Sequence, residues 1–547
     1  MFRRTTKGQY VFRDSDLIAY ICGFSDISDS ARIARVCRGA FSGAVPFVWK
    51  HVEGVHNLLR LLPELNVSGP LTDGSCCLDL SRRLSDTAPS ATIRLTRYKL
   101  CINSIKVYTE SASSYHSFNW TNVNLHLQSQ PPLLNLKSLD ITNPHDIGSK
   151  CSTLWIKAFA CSSLVEVRLV PYFDATRAYS ALASDEELQE AIEVLVVKSP
   201  HIKKLPLFPH NHTRQHDMNS SDLSIYANLH YGSIYSLPVL CDLSCNLGML
   251  VSSLDLLSNL PHLQSLTVWA GGPRYTSFDQ GLSDTFFPAL TSMNLHLIGY
   301  IDPAGLDVLI SMLEMLSRLD VLRISIDVGG FLSRSLSVPN RLFPTLKSLS
   351  NLRDIYVNFA PGYREPHSMT YERSPVMDSI LSLPSLETVC LDGVDLPIAM
   401  PGALRYETTW QLVTSLSMPF HRARIDTLFD FSRLPNLQHL TLELELSTDF
   451  SEETGRNDGD EDGDEHLVGI KLNTLEGGAN SRLFGKQDAI DPLARRETDE
   501  LARRLSAIWP NLRYVVWPTL GIPATELEGI RLLNLQIAEP RRINGSD

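Results

Sequence analysis

Four histidines crowd one stretch, HIKKLPLFPHNHTRQH, at positions 201, 210, 212 and 216. Imidazoles this close suit a transition metal such as zinc, which usually draws cysteine or carboxylate ligands as well. Only Asp217 is adjacent, so His201, His210, His212 and His216 read as part of a polar loop. A second stretch, NDGDEDGDE at 457–465, imitates a calcium loop: Asp458, Asp460 and Asp462 alternate, with Gly463 in the sixth place. The twelfth place needs a bidentate Glu but holds Gly469, and the apolar eighth place holds Glu465. It reads as a disordered acidic insertion at 450–466. Cys241 and Cys245 have no partner pair at ligand spacing and read as buried thiols. There is no G-x-S-x-G elbow, Walker loop, G-x-G-x-x-G or H-E-x-x-H. No catalytic residue, metal ligand or cofactor is expected, and the chain is expected not to be an enzyme. An enzyme hidden in the irregular stretches 203–262 and 391–436 is the rival reading.

Composition narrows the partners. The net charge of −12 disfavours phosphate backbones, so nucleic acid is not an expected partner. Arg3, Arg4 and Lys7 read as a solvated tail. No apolar run approaches the roughly 18 residues a membrane helix needs, and the first residues lack a signal-peptide core, so no membrane partner is expected. The ten cysteines are scattered and contain no C-x-x-C, which suits reduced thiols in cytoplasm or nucleus. The sequons at Asn66, Asn119, Asn211, Asn219 and Asn544 are then chance matches.

What would hold any binding residues in place is a repeat. A phrase with apolar residues at i, i+3 and i+5 recurs ten times, as in NLKSLDI (135–141), HLQSLTV (262–268) and NLQHLTL (436–442). Its phase residues are Leu136, Leu164, Ile202, Leu263, Leu290, Leu319, Leu352, Leu386, Leu437 and Leu512. Their spacings are 28, 38, 61, 27, 29, 33, 34, 51 and 75; the three long ones imply a missed repeat or an insertion. The i+3 to i+5 step is strand alternation. Pro200, Pro261, Pro288, Pro384, Pro435 and Pro510 each stand two residues before a phase residue, where proline stops a helix and starts extended chain. Helical periodicity precedes several copies, with Leu188, Ile192 and Leu195 on one side of 186–200 and Leu501, Leu505 and Ile508 on one side of 498–510. The expected class is therefore α/β: a solenoid of parallel inner strands and outer helices, stabilised by its neighbours.

The phrase resembles the leucine-rich repeat over roughly residues 130–520. That family places Asn or Cys eight residues after the phase leucine, and no copy here has one, so these turns must be satisfied in another way. The expected layout is a helical module at 12–52, a linker and N-terminal cap at 53–130, irregular leucine-rich repeats at 131–520, and a tail at 521–547.

Residues 14–50 show three amphipathic segments: Leu17, Ile18, Ile21 and Phe24; Ile33, Val36 and Cys37; then Phe41, Ala44, Val45 and Val48, closed by Trp49. Asp14 and Ser30 read as N-caps. The segment resembles an F-box through Leu17-Ile18 to Ile21, Ala34-Arg35-Val36-Cys37-Arg38 and Val48-Trp49-Lys50, with Phe12-Arg13 where that family opens with Leu-Pro. Joined to irregular repeats, it is similar to F-box proteins of mushroom-forming fungi. The resemblance implies a substrate-recognition subunit of an SCF-type ubiquitin ligase. A Skp-type adaptor, and through it a cullin, would be its partners, and Leu17, Ile18, Ile21, Val36 and Trp49 would touch the adaptor. The same residues could form the module's own core, and the module could be a plain cap on a leucine-rich scaffold with no cullin partner. An unidentified target protein would meet the outward strand positions Thr267, Asn294, Arg323, Tyr356, Cys390 and Glu443.

Overall fold

The computed structural model describes residues 14–80, 95–142, 152–169, 185–206, 231–270, 287–327, 337–359, 379–393, 410–446, 471–478, 481, 492–517 and 529–538, except positions 63, 73, 96–97, 118, 131–132, 253, 299–300 and 302. The chain forms two compact units, residues 1–290 and 291–547. Among the described residues no helix is long and apolar enough to cross a membrane.

The first unit begins with three short helices, α1 (Ser15–Cys22), α2 (Ile27–Ala34) and α3 (Arg38–Val48). Asp14 caps α1, its carboxylate accepting from the Asp16 and Leu17 amides at 3.0 and 3.2 Å. Ser30, expected to open the second helix, lies inside it and is buried; Asp26 caps it instead, accepting from the Asp29 amide at 2.7 Å. Ile18, Cys22, Ala40 and Ala44 form the core, backed by Ile33, Ala34 and Phe47. Gly43 lets α1 and α3 touch, since a Cβ there would stand 2.5 Å from the Ser15 carbonyl oxygen and 2.9 Å from Ile18.

The strands of this unit are β1 (His51–Glu53), β2 (Leu65–Ser68), β3 (Ser75–Leu80), β4 (Ser104–Lys106), β5 (Ser114–His116), β6 (Ser138–Asp140), β7 (Glu166–Arg168), β8 (Lys204–Pro206), β9 (Asp242–Asn246) and β10 (Ser265–Ala270). β1, β4, β6, β7, β8, β9 and β10 form a parallel ladder in that order, while β2, β3 and β5 form a small separate sheet. The ladder thus starts well before residue 131. Ile102, Ile105 and Val107 carry the phrase into β4, and Trp49 is the phase residue of β1, whose Lys50 carbonyl accepts both the Asn103 and Ser104 amides. Behind this end Tyr108, Tyr115, Trp155, Trp120 and Phe159 interlock edge to face and by stacking. The Tyr115 hydroxyl donates to the Val107 carbonyl at 2.9 Å, so its oxygen accepts from His56 Nδ1 at 3.1 Å. Burial, then the Arg60 charge, holds the His56 pKa below its usual value, and burial raises that of Tyr115.

The second unit holds β11 (Ser292–Ile298), β12 (Val321–Asp327), β13 (Asp354–Phe359), β14 (Thr388–Asp392), β15 (Ser415–Ala423), β16 (His439–Leu444), β17 (Thr474–Gly477) and β18 (Tyr514–Val516), each parallel to the next. Helices such as Pro303–Met315, Ile425–Ser432 and Pro492–Ile508 lie between successive strands along the chain. The ten phase residues read from the sequence are all at most 2% exposed, which places the phrase in the core of every repeat it marked. Each long spacing hides one more repeat, begun by Leu240, Val413 and Leu472 and carried into β9, β15 and β17. Burying one such leucine contributes about 2 kcal/mol, so stacking is what stabilises a unit this short.

Two hydrogen-bond systems join successive repeats. The carbonyl one residue after the phase position accepts two amides from the next repeat: Thr291 from Asp320 and Val321, Asp320 from Arg353 and Asp354, Arg353 from Glu387 and Thr388, Glu387 from Thr414 and Ser415. The side chain one residue before the phase position reaches back to the preceding repeat's carbonyl: Asn135 to Leu100 at 2.6 Å, Asn351 to Ser317 at 2.7 Å, Ser385 to Ser350 at 2.8 Å and Asn436 to Gln411 at 2.5 Å. This ladder stands at the opposite end of the strand from the family's Asn. At the usual place in β11 and β12 the strands simply continue, and Ile298 pairs with Asp327 through the backbone.

The region expected as a C-terminal tail contains a helix at 529–538, with Ile530, Leu533 and Ile537 buried. Its Asn534 accepts from the Val515 amide at 2.6 Å and donates to the Val515 carbonyl at 2.9 Å, occupying the outer side of β18. The acidic stretch 450–466 and His210, His212 and His216 lie outside the described residues.

Candidate docking and target surfaces

The five residues assigned to the adaptor separate into three environments. Leu17, Ile21 and Val36 are 40%, 37% and 55% exposed, and Ile18 is fully buried. Ile18 is therefore corrected from interface to core, because it faces α3 across the Gly43 contact. Trp49 is half-buried and stacks on Tyr98, ring centroids 4.8 Å apart, where it starts the first repeat. Three apolar residues not assigned to this surface are exposed as well: Tyr20 at 67%, Phe24 at 80% and Ile27. Leu17, Tyr20 and Ile21 stand at i, i+3 and i+4, which is one stripe of α1, and Phe24 adds to it from the turn just past the helix. Ile18 and Cys22 hold the opposite face. So α1 is apolar on both sides, and hydrophobicity alone did not show which side was inward. Tyr20 and Phe24 pack edge to face at 5.1 Å, which fixes part of the stripe.

The target positions were read from strand alternation, and four of them fall in one row. Asn294 pairs with Arg323, Arg323 with Tyr356, Tyr356 with Cys390, and the row continues through Ser417, Thr441, Glu476 and Val516. The Arg323 guanidinium lies 4.6 Å from the Tyr356 ring centroid, a cation–π contact. Burial raises the pKa of the Cys390 thiol. Thr267 occupies the equivalent position on β10, opposite Ser244 in the first unit. Glu443 does not belong to the row and is corrected. β15 bulges between Met418 and Arg422, which brings Arg422 opposite Glu443, and their side chains pair at 3.0 Å. Glu443 is buried there, and Thr441 takes the row position it was expected to fill. The bulge also packs a backbone turn closely: a Cβ on Gly478 would stand 2.1 Å from the Pro419 oxygen. Beside it His421 is buried against Phe431, and burial lowers its pKa to about 4.

Across β1 to β7 of the first unit the outward row is charged and alternates in sign. Glu53, Lys106, Asp140 and Arg168 pair across β1, β4, β6 and β7, and Lys204 stands between Glu166 and Asp242. Arg168 also pairs with Glu166 at 2.8 Å. Asp242 has a raised pKa, from burial first and then from Glu166.

Metal and nucleophile chemistry find no matching geometry among the described residues. No three His, Cys, Asp or Glu side chains converge there. Cys241 donates to the Lys203 carbonyl at 3.2 Å, and burial pushes the Cys245 thiol up to about 12.

No protein-family model matches the sequence, and no curated protein matches it. The repeats are of the leucine-rich type. Solved structures with similar architecture include an internalin from Listeria monocytogenes (12% identity, TM-score 0.29, covering 68% of this chain and 82% of that one). A chain of the yeast Rad7 and Elc1 complex has 11% identity and TM-score 0.30, covering 74% and 86%. A chain of the TLR13–ssRNA13 complex has 14% identity and TM-score 0.25, covering 83% and 60%. At these values the likenesses say nothing of role, and the leucine-rich assignment rests on the phase and register described above.

Proposed function

We propose that the chain is a substrate-recognition subunit of an SCF-type ubiquitin ligase, its helical module docking a Skp-type adaptor and its repeats receiving a target protein. The observation that carries this is the exposed stripe of Leu17, Tyr20, Ile21 and Phe24 on a module whose core is filled by other residues. An apolar helix face left in water suits a partner, and anchors of this kind typically cost about 2 kcal/mol or more each when truncated. The F-box-like phrases of residues 17–50 name the partner class. Ubiquitin transfer would belong to other subunits, and the receptor would act by raising the target's effective concentration.

The test is capture of a purified Skp-type adaptor by the full chain, beside Ile21→Asp and Phe24→Asp variants. Both residues are exposed, so unchanged melting is expected with adaptor capture lost. An intact wild-type chain that captures no adaptor refutes the reading. A leucine-rich scaffold without a cullin partner then takes its place, a role favoured by the Trp49–Tyr98 stack that joins module to repeats.

A further inference from the structure

We propose that the open face of residues 291–547 receives one extended polypeptide segment bearing an acidic residue and, about seven residues away, an apolar one. This rests on reading the chain as a target receptor and names the target's chemistry. The two units differ on their open faces. In the first, Glu53, Lys106, Asp140 and Arg168 alternate in sign on paired strands, and opposite charges on adjacent strands stabilise the sheet itself. In the second, Arg323 is exposed and forms no ion pair among the described residues; its contact is the Tyr356 ring. A cation held over an aromatic face keeps its edge N–H groups for a carboxylate, and Arg and Tyr are the types enriched among binding hot spots.

Beyond Tyr356 the row drops to small side chains, Cys390, Ser417 and Thr441, and then meets the exposed Glu476, whose carboxylate accepts from the Thr441 hydroxyl at 3.2 Å. Their neighbours two residues earlier, Thr388 and Ser415, are also small and polar. This makes a low floor of hydroxyl and thiol groups that a peptide backbone can lie across. At the far end β18 presents Tyr514 and Val516, 48% and 37% exposed. The guanidinium sits over β13, and β18 is five strands away, about 24 Å at about 4.8 Å per strand. An extended chain covers that distance in about seven residues at about 3.3 Å each. Charge at one end and apolar surface at the other set the segment's direction.

The experiment probes an array of synthetic twelve-residue peptides of Ala, Ser and Thr with the labelled full chain. Each peptide carries one Glu and one Leu at separations from three to eleven. Binding is expected to peak at separations of six to eight and to fall at least tenfold when Lys replaces the peptide's Glu. Arg323→Glu should reverse that preference, Val516→Asp should abolish the dependence on Leu, and Lys106→Glu on the other unit should change neither. Circular dichroism confirms that each variant is folded. Absence of binding, a flat dependence on separation, or an unchanged preference in Arg323→Glu overturns the proposal. Adaptor capture is measured on the same preparations: a chain that captures adaptor yet shows no peptide preference sinks this channel alone, whereas peptide preference without capture sinks only the ligase reading.

Discussion

His421 makes the second unit sensitive to acid in a way that one substitution removes. The ring is buried, its Nδ1 has no hydrogen-bond partner among the described residues, and its pKa is lowered to about 4 from an unfolded value of 6.5. The native state therefore binds the proton less readily than the unfolded chain. Stability is full above pH 6.5 and is lost as pH falls, levelling off below the folded pKa near 4. Integrated between pH 7.5 and 4.5, a shift of this size costs about 2.5 kcal/mol, with about 2 kcal/mol already gone at pH 5. His421→Phe keeps an aromatic ring against Phe431 and has nothing to titrate. Carboxylates titrate over the same range in both proteins, so the difference between the two pH profiles isolates the imidazole. Urea midpoints of wild type and variant, followed at pH 7.5, 6.5, 5.5 and 4.5, should diverge steadily as acid is added. Parallel profiles would refute the assignment of a buried, neutral imidazole.

Three further outcomes follow from the packing. Gly43→Ala sets a methyl 2.5 Å from the Ser15 oxygen, so α1 should detach at a cost of about 1–3 kcal/mol; proteolysis should cut the module while the repeats melt as before. Asn534→Leu removes both hydrogen bonds to Val515, and hydrogen exchange at the Val515 amide should accelerate about 10- to 100-fold, matching about 1–3 kcal/mol. Tyr115→Phe leaves buried His56 Nδ1 without its partner, while the Val107 carbonyl keeps the Val55 amide at 3.1 Å, so thermal stability should fall by about 1–2 kcal/mol, whereas a neutral result would mean that water replaces the hydroxyl.

How far the sequence could be read depended on whether a signal was local. Alternation within six residues carries the phase, so Leu136 to Leu512 were placed correctly as core. Repeats ending in Cys245, Met418 or Gly477 broke the leucine pattern and escaped notice, though their backbones pair like the others. Asn135, Asn351 and Asn436 recur visibly before the phase residue. Their partners lie 25 to 35 residues earlier, and no local pattern points that far. On α1 both faces are apolar, so periodicity named Leu17 and Ile18 together although one is exposed and the other buried. Glu443 stands six residues after Leu437 rather than four, so the phase itself points to Thr441; only its pairing with Arg422, across a bulge in β15, lay beyond alternation.

Asn534 has a consequence for how long the array is. A rung of this ladder offers amides and carbonyls that another strand could join, from the same chain or from a second molecule. Its amide side chain presents one acceptor and one donor to Val515, as a neighbouring strand would, but offers nothing beyond itself. Asn534 thereby closes the Val515 rung of β18 to a further strand. Inner repeats duplicated upstream of β18 should lengthen the protein without making it stick to itself, and the same duplication after removal of 529–538 should yield end-to-end polymers.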